Sequence, residues 1–332
     1  MVRRSLLIAS AVLIGLALAL LVAEFVERML DSSPAPADIK KGRYRLASNP
    51  GVGFEPIPNR SRGKDEKDFM DYDETANSLG FRDYEHAVDA PEVYRILVLG
   101  DSVASGHHIK RYQDAFPFQL EKLLNDRGHV VEVINFGVSG YNTQQEVEIL
   151  KDRGLQFSPD LVLLAYCLND RERSDGGILK SLATAKRAQG VVWSETGTWL
   201  DHSRLYQFLA YRYRAGQEIP SAYQKLFEDT VAEYFAELAT LSKAERHETL
   251  IAILPDFDDL KSGDMPEEYG EIAALAAQHS LPSLNLLTTV RACRRAGQRR
   301  LKRDHYHPSE AGHRCIAQGL ADTVENLMTN RL

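Results

Sequence analysis

The chain predicts an α/β fold built on a parallel sheet covered on both faces. Three observations carry that prediction. Residues 95–100, 130–135, 161–166 and 249–254 are short, almost unbroken apolar runs, the pattern of strands buried on both faces. Helical stretches stand between them, as the crossovers of a parallel sheet require. Small polar clusters follow the runs directly, at the strand ends where such sheets carry their sites.

Taken in order, the chain opens Met1-Val2-Arg3-Arg4 and then runs apolar and uncharged from Leu6 to Ala23. At about 1.5 Å per residue that run extends roughly 27 Å, close to the thickness of a bilayer core. It has no polar face, and Glu24, Phe25 and Glu27 follow it where a small-residue cleavage site would stand. Residues 1–30 therefore read as a single-pass signal anchor. The membrane is a partner through residues 6–23, with Arg3 and Arg4 on the cytoplasmic side and the rest extracytoplasmic, or periplasmic. A cleaved signal peptide is the competing reading; both export the bulk of the chain. Residues 31–42 are a Pro-rich polar linker. Residues 43–92 form an N-terminal extension expected to pack on the following domain, and they include Asn77-Ser78-Leu79-Gly80-Phe81-Arg82. That domain is expected over 93–332.

Within it, the first strand ends at Gly100 and a helix is expected near 114–127, stopped by Gly128. After the second strand, 142–153 reads as helix, with Gly154 as its stop. Pro159-Asp160 introduces the third strand. An insert at 171–220, with Trp193, Trp199, Tyr206 and Tyr211, is long for a connection and suits a lid, a substrate wall or a satellite helical unit. Helix is expected over 221–244 and 268–279, a short strand around Leu284, and a last helix over 309–329.

Composition narrows the function. Among 332 residues, 40 Lys+Arg stand against 47 Asp+Glu, for a net charge of −7. That balance argues against nucleic acid as a partner, which needs a basic field. Cys167, Cys293 and Cys315 lie too far apart for a zinc-ribbon cluster. Cys167 is expected to pack as a small buried hydrophobe. Cys293 and Cys315 either pair in an oxidising compartment or remain two thiols. The basic run Arg291, Arg294, Arg295, Arg299, Arg300, Lys302 and Arg303 suits either a solvated face or a dock for an anionic glycan or headgroup.

The polar clusters fit nucleophilic acyl transfer. Gly100-Asp101-Ser102 places a serine in the turn after the first strand, and a serine hydroxyl needs a base. Asp304-His305-Tyr306-His307, ahead of the last helix, offers His307 as that base and Asp304 to hold its other ring nitrogen. The oxyanion of a tetrahedral intermediate needs donors. The backbone N–H of Ser102, that of Gly140 and the amide of Asn169 are candidates, each worth roughly 2.7–4 kcal/mol. Taken singly, each cluster has a plainer explanation. Ser102 suits a helix N-cap, Asn169 and Asp170 suit turn caps, and Asp304 to His307 suits the start of a helix. His107, His108 and His305 read as surface or rim residues. A metal is conceivable, but no tight ligand spacing appears.

Together, in this order, Gly100-Asp101-Ser102, the Gly140 block, Asn169-Asp170 and Asp304-x-x-His307 resemble the four blocks of the SGNH (GDSL) hydrolase superfamily. The resemblance covers about residues 94–327. It implies a flavodoxin-like three-layer α/β/α sandwich. It also implies Ser102 as nucleophile, Gly140 and Asn169 as oxyanion donors, and Asp304 and His307 as the rest of a triad, with no cofactor. Cys167 departs from the pattern, since that position is usually glycine. The segment from Asn77 to Arg82 is similar to membrane-anchored, exported members. The expected function is a serine esterase acting on acyl esters, acetyl being the simplest, of an extracytoplasmic carbohydrate, envelope polymer or lipid. An O-acyltransferase of exported polysaccharide using the same site is an alternative. So is a non-catalytic envelope-assembly protein that retains the fold.

Overall fold

Five parallel strands, in the spatial order β4 (Val131–Asn135), β3 (Tyr94–Gly100), β5 (Leu161–Tyr166), β6 (Glu248–Ile253) and β7 (Ser283–Asn285), form the sheet of the computed structural model. The structure describes residues 2–30, 44–60, 76–90, 92–171, 228–261 and 263–330, with single positions between 203 and 226. The linker 31–42 and most of the insert, including Trp193, Trp199 and Tyr211, lie outside the described residues.

The chain divides into two compact units. One comprises residues 1–46 with 177–220. It contains helix α1 (Val2–Leu30) and strand β1 (Tyr44–Leu46). A 20-residue window of α1, Ser10–Met29, has mean hydropathy 2.1 and none of it is buried, so α1 is long and apolar enough to cross a membrane. Near its end Glu24 accepts hydrogen bonds from Ser203 Oγ at 2.8 Å and Leu205 N at 2.9 Å.

The second unit comprises residues 47–176 and 221–332 and carries the sheet. Residues 47–60 and 76–90 of the expected extension fall within it, including strand β2 (Phe54–Pro56). Strand β3 (Tyr94–Gly100) is buried from Arg95 onward, and β5 (Leu161–Tyr166) throughout. Both are central, so their unbroken apolar sequence matches a sheet covered on both faces. Strand β4 (Val131–Asn135) lies at one edge, and Glu132 on it is half-buried beside Arg95 at 3.0 Å. Strand β6 (Glu248–Ile253) and the short β7 (Ser283–Asn285) complete the other side. Numbered by chain position, the five strands run 2-1-3-4-5, the flavodoxin-like order, whose switch point lies between β3 and β5.

Helices cover both faces. Helix α2 (Phe116–Asp126) packs on β4 and on the last helix, α7 (Glu310–Asn330). On the other face lie α3 (Thr143–Ile149), α4 (Val231–Glu245) and α5 (Glu267–Gln278). Helix α6 (Leu287–Arg295) packs against α7.

Two helices depart from expectation. The helix expected over 142–153 is α-helical only to Ile149 and continues as a π-turn over Leu150–Gly154. Its start is a capping box, in which Asn142 accepts from Gln145 N and Gln145 accepts from Asn142 N. The helix expected from 221 begins at Val231, where Asp229 Oδ1 accepts the Val231 N–H at 3.3 Å. Thr230, the N-cap, makes no side-chain capping bond.

Cys293 and Cys315 form a disulfide joining α6 to α7. Of the two readings left open, pairing is the one observed. A loop with a sequence separation of 22 residues contributes about 3 kcal/mol by constraining the unfolded chain. Cys167 is a buried free thiol. The basic run is partly tied down. Arg291 donates to the carbonyls of Asp259 and Asp264, Arg294 to that of Leu260, Lys302 pairs with Asp258, and Arg303 with Glu310. Apart from half-buried Arg291, the residues of the run are exposed.

Candidate active site

Gly100 ends β3, and the following residues turn back in a series of tight turns over 102–108 instead of entering a helix at once. Ser105 N donates to Asp101 O at 3.1 Å and His107 N to Ser102 O at 2.8 Å, which closes the first turns around the serine. The buried carboxylate of Asp101 accepts Val103 N at 2.9 Å, so the capping role in this turn belongs to Asp101 rather than to Ser102. The turn lies on the end of β4. A Cβ on Gly137 would stand 2.5 Å from Ser105 N, so only glycine admits this approach. Asn135 bridges the two segments, donating to Ala104 O at 2.9 Å and accepting Gly137 N at 2.9 Å.

The turn is also held from the side. Arg82, in the segment singled out ahead of the first strand, donates to Ser105 O at 3.2 Å, Gly106 O at 2.8 Å and Ile109 O at 2.5 Å. Asn77 shapes that segment by accepting the N–H of Leu79 and of Phe81. Three carbonyls on one guanidinium make Arg82 a positioning residue for the serine turn. Arg82→Met removes charge-assisted bonds worth roughly 1.5–3 kcal/mol each before relaxation. We expect kcat to fall about 10–100-fold, as a displacement near 1 Å does, with KM little changed. Arg82→Lys should recover only part, because one ammonium cannot span three carbonyls. An unchanged kcat in Arg82→Met would remove the positioning role.

The structure brings Ser102, His307 and Asp304 together. Ser102 Oγ lies 2.9 Å from His307 Nε2. His307 Nδ1 lies 2.8 Å from Asp304 Oδ2 and 2.9 Å from Oδ1. Asp304 Oδ1 also accepts the backbone N–H of His307 at 2.8 Å and of Tyr306 at 3.0 Å. Burial works against the Asp304 charge, but these N–H groups and the His307 ring outweigh it and hold the carboxyl at about 2. Gly312, in the first turn of α7, keeps this loop close, since its Cβ would overlap the carbonyl of Leu301.

The expected oxyanion donors lie in neighbouring turns. Gly140 follows β4 with φ of 85°, a conformation that suits glycine. Among the described residues, neither its N–H nor that of Ser102 has an acceptor. Asn169, in the 3₁₀ turn Leu168–Arg171 after β5, is held loosely, with Nδ2 3.5 Å from Asp101 Oδ2.

Several residues near the serine escaped the sequence reading. Cys167 is buried as expected, yet it also donates its thiol to Asp101 Oδ1 at 3.2 Å. Asp170 accepts Cys167 N at 2.7 Å. Glu146 on α3 is fully buried, and neither of its carboxyl oxygens has a partner among the described residues. Burial first, then the neighbouring carboxyls, pushes Asp170 and Glu146 well above the usual carboxylate range. His107 and His108, half-buried, stand at the rim close to the triad: the His107 ring lies 4.4 Å from that of His307, and His108 Nε2 lies 3.5 Å from Asp304 Oδ2. Their place five and six residues after Ser102 was the available signal, since a tight turn returns that segment to the site.

A flavodoxin-like sheet with a hydrogen-bonded serine, histidine and aspartate at its switch point defines the class of α/β ester hydrolases. The chain belongs to the GDSL-like lipase/acylhydrolase family, whose model matches residues 98–315. It is 36% identical over 76 residues to an arylesterase of Vibrio mimicus, a stretch covering 23% of this chain and 38% of that relative. Among solved structures, TesA is similar at 18% identity and a TM-score of 0.42, over 70% of this chain and 99% of that one. A two-domain esterase (CEX) active on acetylated mannans is similar at 14% identity and a TM-score of 0.46, over 73% of this chain and 51% of that one.

Proposed function

We propose that the protein is a membrane-anchored, extracytoplasmic serine esterase that removes acyl groups, acetyl first among them, from a carbohydrate, envelope polymer or lipid. The observation that carries the chemistry is the unbroken chain from Ser102 Oγ through His307 to Asp304, at 2.9 and 2.8 Å. His307 Nε2 takes the Ser102 proton as Oγ attacks the ester carbonyl. The oxyanion is received by the N–H groups of Ser102 and Gly140 and by Asn169, whose 3.5 Å hold on Asp101 is weak enough to release. The alcohol leaves with the proton from His307. Water, deprotonated by His307, then attacks the acyl-enzyme and frees the acid and Ser102.

Two features support the location. Helix α1 has the length and hydropathy of a membrane span, and Arg3 and Arg4 stand in its first turn, ahead of the apolar stretch. The disulfide between Cys293 and Cys315 fits an oxidising compartment. Turnover of a series of aryl esters from acetyl to long-chain acyl, by the full chain in detergent, tests the acyl reading. Acetyl and other short esters should give the highest kcat/KM, whereas a strong preference for long chains would overturn the acetyl assignment. Adding an acceptor glycan to the same assay should leave free acid as the product; acylated glycan would instead indicate the transferase alternative.

A further inference from the structure

Three imidazoles crowd the site on the side of the serine turn. The ring of His107 lies 4.4 Å from that of His307, and the ring of His108 lies 5.3 Å from it. The rings of His107 and His108 are 4.1 Å apart. One nitrogen of each of the three comes within 4.8 Å of the others, and all three residues are partly exposed, so an ion from solvent can reach them. A tetrahedral zinc with bonds of about 2.0–2.1 Å to nitrogen holds its ligand atoms roughly 3.4 Å apart. The rings must therefore turn toward one another to close on an ion.

Asp304 supplies what a metal-binding histidine ordinarily has behind it. Its carboxylate holds His307 Nδ1 at 2.8 Å and lies 3.5 Å from His108 Nε2. A carboxylate on the far nitrogen fixes the ring and raises its basicity as a ligand. With Nδ1 taken, the nitrogen His307 can offer to a cation is Nε2, the atom that faces Ser102 Oγ at 2.9 Å.

We propose that His107, His108 and His307 form a binding site for a zinc-like divalent cation, and that the bound ion switches the esterase off. The ion occupies the lone pair of His307 Nε2 that would otherwise accept the Ser102 proton, so binding and proton transfer exclude one another. Water completes the coordination. His107 and His108 thereby acquire a role that acyl transfer does not need. The inhibitory half rests on the proposed role of His307 as base; the binding half rests on the three rings alone.

Zinc chloride titrated into the full chain in detergent, read by calorimetry and in parallel by aryl-acetate turnover, tests both halves. Zinc binding and loss of turnover should share one midpoint, and a chelator should restore activity. Losing a ligand should cost at least the roughly 10–100-fold in affinity that loss of an outer partner costs. His107→Ala and His108→Ala should each show that loss, while His129→Ala, away from the site, should not. Ser102→Ala should still bind zinc, which separates a failure of this site from a failure of the esterase reading. Equal zinc affinity in wild type, His107→Ala and His108→Ala would overturn the site. Zinc bound at the site with turnover unchanged would overturn the switch.

Discussion

Ser102→Ala is expected to lower aryl-acetate turnover by roughly 10⁴-fold or more, the scale on which a serine nucleophile acts together with its base. Covalent labelling by a fluorophosphonate should disappear with it. The variant should remain folded, because the hydroxyl is only partly buried and bonds to His307 at 2.9 Å and Asp101 at 3.2 Å. KM should stay close to that of wild type, since the groups that receive the substrate are untouched. Labelling and turnover that persist in Ser102→Ala would place the nucleophile elsewhere. A wild-type chain that neither labels nor turns over any ester would favour a binding or assembly role for the fold.

Asp304→Asn is the second large effect, expected at about 10⁴-fold in kcat. The aspartate accepts from His307 Nδ1, so Nδ1 carries the proton and Nε2 is left to receive one from Ser102. An amide at 304 can donate to Nδ1 instead, which places the proton on Nε2 and removes the base. The amide oxygen can still accept the N–H groups of Tyr306 and His307, so the loop should hold its shape. The pH dependence of stability follows from the lowered carboxyl. Its folded value of about 2 lies below the ordinary 3.8. Its contribution is therefore complete above the ordinary value and is lost as pH falls from 3.8 toward 2. The stability gap between wild type and Asp304→Asn should narrow across that window, measured by denaturant unfolding at a series of pH values. A gap that stays constant down to pH 2 would show that the charge of Asp304 does not stabilise the fold.

The strands were legible in sequence because central parallel strands need apolar side chains on both faces, and β3, β5 and β6 have them. The edge strand β7 was legible mainly from its place after a helix. Helix ends were less so. The π-turn after Ile149 and the late start of α4 depend on local hydrogen bonds that the apolar period does not encode. Gly137 reads as an ordinary loop glycine in sequence; only the packing of the serine turn against β4 shows why no Cβ fits there.

The sequence by itself determined the sheet and its polar strand ends, and with them Ser102, Asp304 and His307 as candidates. Those signals are local: apolar runs, and residue types suited to one chemistry in one order. The tertiary structure decided which neighbours surround the serine. Arg82 reaches the turn from 23 residues upstream and Glu146 comes from the opposite helical layer. His107 and His108 meet His307 from across the fold, and Cys293 meets Cys315. Each of these meetings joins segments distant in the chain, so residue type and local pattern do not reveal it. The net charge of −7 does not reveal that three imidazoles converge beside the serine; the turn at 102–108 brings His107 and His108 to His307.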